Sequence, residues 1–139
     1  MVSWEFRDRY RWGAGLAVAV LLAAGLMAVL GLPPVDLHPP WHRFGVMDPL
    51  CGGTRAARYT VRGEWSEAWN YNPLGVLTVL GAGALILRSL VGMVSGRWLR
   101  VRIRWTPRRI RTAVAIAIIL VTVLEIRQQL RADLLLVGT

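Results

Sequence analysis

The side chains with the most chemistry to offer stand close together: His38, His42, Asp48, Cys51, Thr54 and Arg55, followed later by Asn72-Pro73-Leu74. Cys51 is the single cysteine. A lone thiol cannot perform intramolecular dithiol exchange. Placed before a helix start with Arg55 one turn on, it could still be drawn toward thiolate; the plainer reading is a small residue packed in a tight glycine turn. His38, His42, Asp48 and Cys51 are competent metal ligands. Pro39-Pro40 separates the two histidines, so their spacing builds no common face, and neither a metal nor another cofactor is expected. Gly52-Gly53-Thr54 can present backbone N–H groups at a helix N-terminus, and Arg55, with Arg58 behind it, adds a donor suited to phosphate or carboxylate. Thr54 could otherwise act as an N-cap. All 17 basic side chains are arginines, which excludes a P-loop lysine, a Schiff-base lysine and a Ser–Lys pair. No nucleophile–base–orienter set, carboxylate pair or nucleotide loop is legible, so a non-enzymatic role is the preferred reading.

The elements that must position these residues are mostly apolar. The 139 residues are 55% hydrophobic with mean hydropathy +0.44, yet carry a formal charge of +9 and a pI near 11.5. A basic membrane protein accounts for both, and the length allows one compact unit. Apolar stretches at 12–32, 74–94 and 112–130 are each long enough for a helix that crosses ~30 Å of hydrocarbon. The expected fold is therefore an all-α integral membrane protein with three transmembrane helices and short interfacial helices in the loop 33–71. The first stretch follows Arg7, Arg9 and Arg11, as a signal peptide would; its length and the lack of a small-x-small site favour a retained anchor.

Charge placement orients the bundle. The connection 95–111 holds Arg97, Arg100, Arg102, Arg104, Arg108, Arg109 and Arg111 without an acid, which marks it as cytoplasmic together with the N-terminus. The loop 33–71 and the segment after Leu130 then lie outside. Within the basic connection, Leu99, Val101 and Ile103 alternate with Arg100, Arg102 and Arg104, the period of an extended ribbon on the inner leaflet that anionic lipids would attract. It carries no groove-reading module, so nucleic acid is not an expected partner. Thr106-Pro107 supplies an N-cap and first-turn proline for the third helix.

Small residues recur at four-residue spacing, Gly15, Ala19 and Ala23 on the first helix and Gly92 and Gly96 on the second, as helix-packing positions or as a face for another subunit. Two charges fall inside the spans. Arg88 sits near the inner end and can snorkel. Glu125, about one and a half turns from the outer end, would need a partner if buried, with Arg55 or Arg127 as candidates. In the loop, Arg55, Arg58 and Arg62 fall at i, i+3 and i+7 on one helical face that ends at Gly63. A second short helix follows with Trp65, Ala68 and Trp69 on its apolar side, before Asn72-Pro73 turns into the next span.

The run Asp48-Pro49-Leu50-Cys51-Gly52-Gly53-Thr54-Arg55-Ala56, with Gly63, Ala68 and Asn72-Pro73-Leu74 after it, resembles the domain-of-unknown-function family 2752 of small bacterial integral membrane proteins. That family's pattern is approximately C-P-x-C-G-x-T-R-A, a later glycine and an N-P-L helix start. Cys51 takes the second cysteine and Gly52, Thr54, Arg55, Asn72 and Pro73 their counterparts; Asp48 stands where the family has its first cysteine. The resemblance implies the bacterial cytoplasmic membrane as location. Three functions stay open. The first is an accessory subunit that packs against a larger integral membrane protein, with anionic lipid at its inner face. The second is a headgroup- or anion-binding protein using Gly52, Gly53, Thr54, Arg55 and Arg58, and the third is thiol or metal chemistry at Cys51.

Overall fold

A computed structural model of the chain describes residues 2–6, 8, 10–32, 46–101 and 105–136. In order, these form β1 (Val2–Glu5), α1 (Arg11–Leu30), α2 (Gly53–Val61), α3 (Trp65–Tyr71), α4 (Pro73–Ser95), β2 (Trp98–Val101), α5 (Pro107–Gln129) and α6 (Ala132–Leu136). His38 and His42, and the arginines at 7, 9, 102 and 104, lie outside the described residues.

The helix boundaries follow from local chemistry. Gly31, at φ +93°, ends α1 in a backbone conformation that favours glycine. Asn72 caps α4: its Oδ1 accepts from the N–H of Leu74 at 2.8 Å, and Pro73 occupies the first position, where no N–H is needed. Thr106 and Pro107 begin α5 the same way, with the Thr106 hydroxyl accepting from the N–H of Arg109 at 3.4 Å. α2 is capped differently from expectation. Gly52 is the N-cap, in the left-handed region, and Thr54 is an exposed residue of the first turn.

α1 and α4, of 20 and 23 residues, are long and apolar enough to cross a membrane. They pack on each other and leave most of their apolar surface exposed, unlike the core helix of a soluble domain. Ala17 and Ala24 are the buried residues of α1. The row Gly15, Ala19, Ala23 is exposed instead, and a Cβ on Gly15 would meet nothing within 4 Å. On α4 the buried residues are Gly75, Val76, Val79, Ala82 and Gly92. Gly92 packs, but beneath an aromatic lid: a Cβ there would come within 2.3 Å of the Trp98 ring. Gly96 is the left-handed cap that ends α4.

β1 and β2 pair antiparallel at the end of the bundle where α4 stops, with Trp4 opposite Leu99 and Glu5 opposite Trp98. The alternation in the basic connection foretells β2; its partner strand comes from the N-terminal segment. Arg88 does not snorkel away from this sheet. Its Nε donates to the Leu99 carbonyl at 2.7 Å, its guanidinium pairs with Asp8 at 3.1 Å, and the rings of Tyr10 and Trp98 flank it at 4.8 and 5.7 Å. Arg100 pairs with Glu5 across the strands. The charge is thus satisfied inside the protein, which a snorkelling side chain would leave to solvent.

α5 is as long as α4, but Arg108, Arg109 and Arg111 stand near one end and Glu125 and Arg127 near the other. It is exposed from Pro107 through Val123 and buries only Leu124 and Gln128. Its far end joins α3 and the turn before α2.

Close approach of α2 to α4 rests on Gly75. A Cβ at that position would lie 2.6 Å from the Gly53 carbonyl oxygen and 2.7 Å from the Ala56 Cβ, and backbone would have to move. Gly75→Ala is therefore expected to lower stability by about 1–3 kcal/mol, read as a drop in the unfolding midpoint in mild detergent. Gly81→Ala, in open space, is the matched control and should leave the midpoint unchanged.

Candidate functional site

The residues singled out around Cys51 converge on one turn and its receivers. Asp48-Pro49-Leu50-Cys51 closes with the Cys51 N–H on the Asp48 carbonyl at 3.0 Å, and Leu50-Cys51-Gly52-Gly53 closes with the Gly53 N–H on Leu50 at 2.9 Å. Proline at the second position suits the first turn, and Gly52, with φ +75°, supplies the positive φ that the second needs. Asp48 acts locally, its Oδ1 accepting from the N–H of Leu50 at 2.7 Å. The carboxylate thus stabilises the turn it begins.

Two buried amides read the back of this turn. The Asn72 side chain donates to the carbonyls of Pro49 and Cys51, both at 2.9 Å, while its oxygen caps α4. Gln128 of α5 donates to the same Cys51 carbonyl at 2.8 Å and to Tyr71 at 3.1 Å. Both amides are 0% exposed. Neighbouring bonds extend the seam. Arg127 donates to the carbonyls of Trp69 and Asn70 at 2.6 and 3.3 Å, Arg131 to Asn70 at 2.8 Å, and the Met47 N–H to Gln129 at 3.0 Å. Arg127, one candidate partner for Glu125, is therefore engaged with backbone.

The side chains of the turn face apolar cover. Met47, Cys51 and Leu135 form a buried cluster with Tyr71 and Ala132 against it. A Cβ on Gly52 would lie 2.8 Å from Leu135 Cδ2 and 3.2 Å from the Tyr71 carbonyl oxygen, so glycine is required there by space as well as by φ. Cys51 is 3% exposed and its Sγ donates to the Met47 thioether at 3.6 Å. Burial, and then the Asp48 charge, push its thiol up from the ordinary value, against the smaller opposing influence of Arg55. Desolvation thus outweighs the pull toward thiolate that Arg55 and the helix start would exert, in keeping with the plainer reading of Cys51 as a small residue packed in a glycine turn.

Arg55 is engaged by the residues that cover the turn. It donates to the Leu135 carbonyl at 3.4 Å and stacks over Tyr71 at 5.6 Å, while Tyr71 stacks in turn on Tyr59. Arg58 lies further along α2, half-buried, with a buried Nε that finds no acceptor. Among the described residues, no three His, Cys, Asp or Glu side chains converge as a metal site would require. Met47, Tyr71, Gln128 and Leu135 are participants that the sequence does not single out. Only Gln128, an uncharged polar residue at the end of an apolar run, carries a signal there.

The geometry and the motif coincide over one segment, and comparison with known families picks out the same one. Residues 41–86 match the family described as Protein of unknown function (DUF2752). This bears out the family expected from the Cys51-to-Leu74 pattern. No curated protein and no solved structure matches the chain. The DUF2752 segment covers about a third of the chain, holding the turn, α2, α3 and the first half of α4. Gln128 and Leu135 lie beyond it, so the segment's central carbonyl is completed from outside the matched region.

The raised Cys51 thiol has a measurable consequence. Below about pH 8.5, folded and unfolded chains both keep the proton, and the buried neutral thiol contributes its full stability. As pH rises, the unfolded chain ionises first, and the contribution is lost on the way through the raised folded value. Wild-type protein should therefore lose more stability than Cys51→Ala between about pH 8 and about pH 10 in detergent unfolding. Equal losses would contradict the burial.

Proposed function

We propose that this chain is a three-span, non-enzymatic accessory subunit of the bacterial cytoplasmic membrane that packs against a larger integral membrane protein. The observation that carries this reading is the state of α5. Its apolar side chains are exposed on every side, among them Ile116, Ile118, Ile119, Leu120, Val121 and Val123, while its last turns are tied into the DUF2752 turn. A helix apolar all round belongs in lipid or against another protein.

Support for α5 as the third span comes from length and level. At ~1.5 Å per residue its 23 residues reach ~34 Å, the same as α4. It starts shortly after the strand beside the end of α4, and finishes at Gln128 against Tyr71, where α4 begins. The uncharged stretch Thr112–Leu124 is shorter, ~20 Å, so crossing ~30 Å of hydrocarbon requires local thinning or the flanking Arg111 and Arg127 reaching toward the two surfaces. Arg97, Arg108, Arg109 and Arg111 support a cytoplasmic sheet end, facing anionic lipid. The turn, α2, α3 and α6 then lie outside, with Trp65 and Trp69 exposed where an interface would take them.

The subunit reading is preferred to headgroup binding because one Arg55 nitrogen already donates to the Leu135 carbonyl and its guanidinium lies over the Tyr71 ring. It is preferred to thiol chemistry because Cys51 is buried and its thiol is pushed above the ordinary value.

Single cysteines in a Cys51→Ala background test the membrane arrangement in intact cells. Thr54→Cys and Leu130→Cys should react with an impermeant maleimide, and Ser95→Cys and Trp105→Cys only after permeabilisation; labelling of Trp105→Cys and Leu130→Cys from the same side would remove the third span. Purification in mild detergent followed by mass spectrometry should recover a stoichiometric integral membrane partner. A lone monomer would contradict the subunit role.

A further inference from the structure

The cations at the turn end of the bundle mostly have protein acceptors. Arg55 donates to Leu135, Arg127 and Arg131 donate to the carbonyls of Trp69 and Asn70, and Arg62 pairs through Nε with Glu64 at 3.1 Å. Arg58 is different. Among the described residues it makes no hydrogen bond or ion pair, and its Nε is buried without an acceptor. One edge of this half-buried guanidinium is therefore unsatisfied, because neither protein nor water reaches that nitrogen.

Position on α2 decides what reaches the edge. α2 packs against both α1 and α4, and its buried residues Ala56 and Thr60 mark the inward side, where the Ala56 Cβ comes close to Gly75 near the start of α4. Arg58 is two positions from each, about 160° round the helix, so it stands on the face turned away from the bundle near the level where α4 begins. Arg62 follows at i+4 on the same side, with Cβ atoms about 5–6 Å apart at that spacing. From Gly53 to Arg62 there are three arginines and no acid. Like charges at i and i+4 repel, and an anion between them relieves the repulsion.

We propose that Arg58 and Arg62 together bind a phosphate group. The Nε–Nη edge of a guanidinium presents two parallel donors that match two phosphate oxygens, and only Nε of Arg58 is shut away, so an anion that meets the open Nη gains Nε by a small turn of the side chain. The adjoining α3 exposes Trp65 and Trp69, each 53%, aromatic side chains that suit the headgroup layer where phospholipid phosphate is concentrated. Such a site is independent of the subunit role and separate from the glycine turn, whose Arg55 is already engaged.

Thermal unfolding of the purified full chain in dodecyl maltoside, with added phosphatidylglycerol, diacylglycerol or inorganic phosphate, tests this without regard to membrane orientation. Phosphatidylglycerol should raise the wild-type midpoint and diacylglycerol should not. Arg58→Gln should weaken the apparent lipid affinity about tenfold or more, the size of one lost charge-assisted pair, and should leave the lipid-free midpoint unchanged, since no protein partner is lost. Arg58→Lys keeps the charge without the two-donor edge; it should fold as wild type and bind with intermediate affinity. Arg97→Gln, an exposed cation at the sheet end, should retain the wild-type shift. A shift with phosphatidylglycerol alone assigns the site to a lipid, and one with inorganic phosphate as well, lost in Arg58→Gln, assigns it to phosphate from either source. Equal phosphatidylglycerol shifts in wild type and Arg58→Gln, or an equal shift from diacylglycerol, would overturn the site. So would a lower lipid-free midpoint in Arg58→Gln that Asp36→Asn reproduces, because the chain itself would then supply the anion.

Discussion

One carbonyl oxygen organises one whole end of this protein. The backbone oxygen of Cys51 accepts hydrogen bonds from two buried side-chain amides, Asn72 and Gln128, that arrive from different helices. A carbonyl has two lone pairs, and here both are used. Because each amide is fully buried, removing an acceptor would leave polar groups unsatisfied at about 1–3 kcal/mol each. The turn, the start of α4 and the end of α5 are therefore fixed together. Gly52 makes this possible by bending the chain so that the carbonyl points inward, and Leu135 closes over the bend.

The two ends of the helices are held by different physics. At the turn the bonds run mostly from amide or guanidinium groups to backbone carbonyls, as with Asn72, Gln128, Arg127, Arg131 and Arg55. At the sheet they are ion pairs, Arg88 with Asp8 and Arg100 with Glu5. Between them, α1 and α4 meet through small residues and leave apolar surface outward. In the carbonyl seam, donors of reactive residue types are spent on the fold, and the Cys51 thiol is desolvated.

Legibility in the sequence tracks how local each cause is. α1 and α4 can be read from apolar length, and the caps at Asn72 and Thr106 from residue type followed by proline. Asp48, Cys51, Gly52, Asn72 and Pro73 can be grouped through the family pattern, though not their contacts. Gln128, 77 positions from Cys51, and Leu135 need the tertiary fold. On α1, small residues occur on more than one side, so spacing alone favours Gly15, Ala19 and Ala23 over the buried Ala17 and Ala24. The short β1 leaves no periodic trace, and Arg88's partner, Asp8, is 80 positions away. The proximity of Arg55 to Cys51 is legible, whereas burial by Leu135 and Met47, which raises the thiol, is not.

The claim that the Cys51 carbonyl joins α4 to α5 is tested most directly by a double-mutant cycle. Asn72→Ala, Gln128→Ala and the pair would be compared by reversible unfolding in mild detergent. Amides that share one acceptor should couple, with an interaction energy of about 0.5–3 kcal/mol. Additivity within about 0.3–0.5 kcal/mol would show that the two residues act independently and would contradict the account.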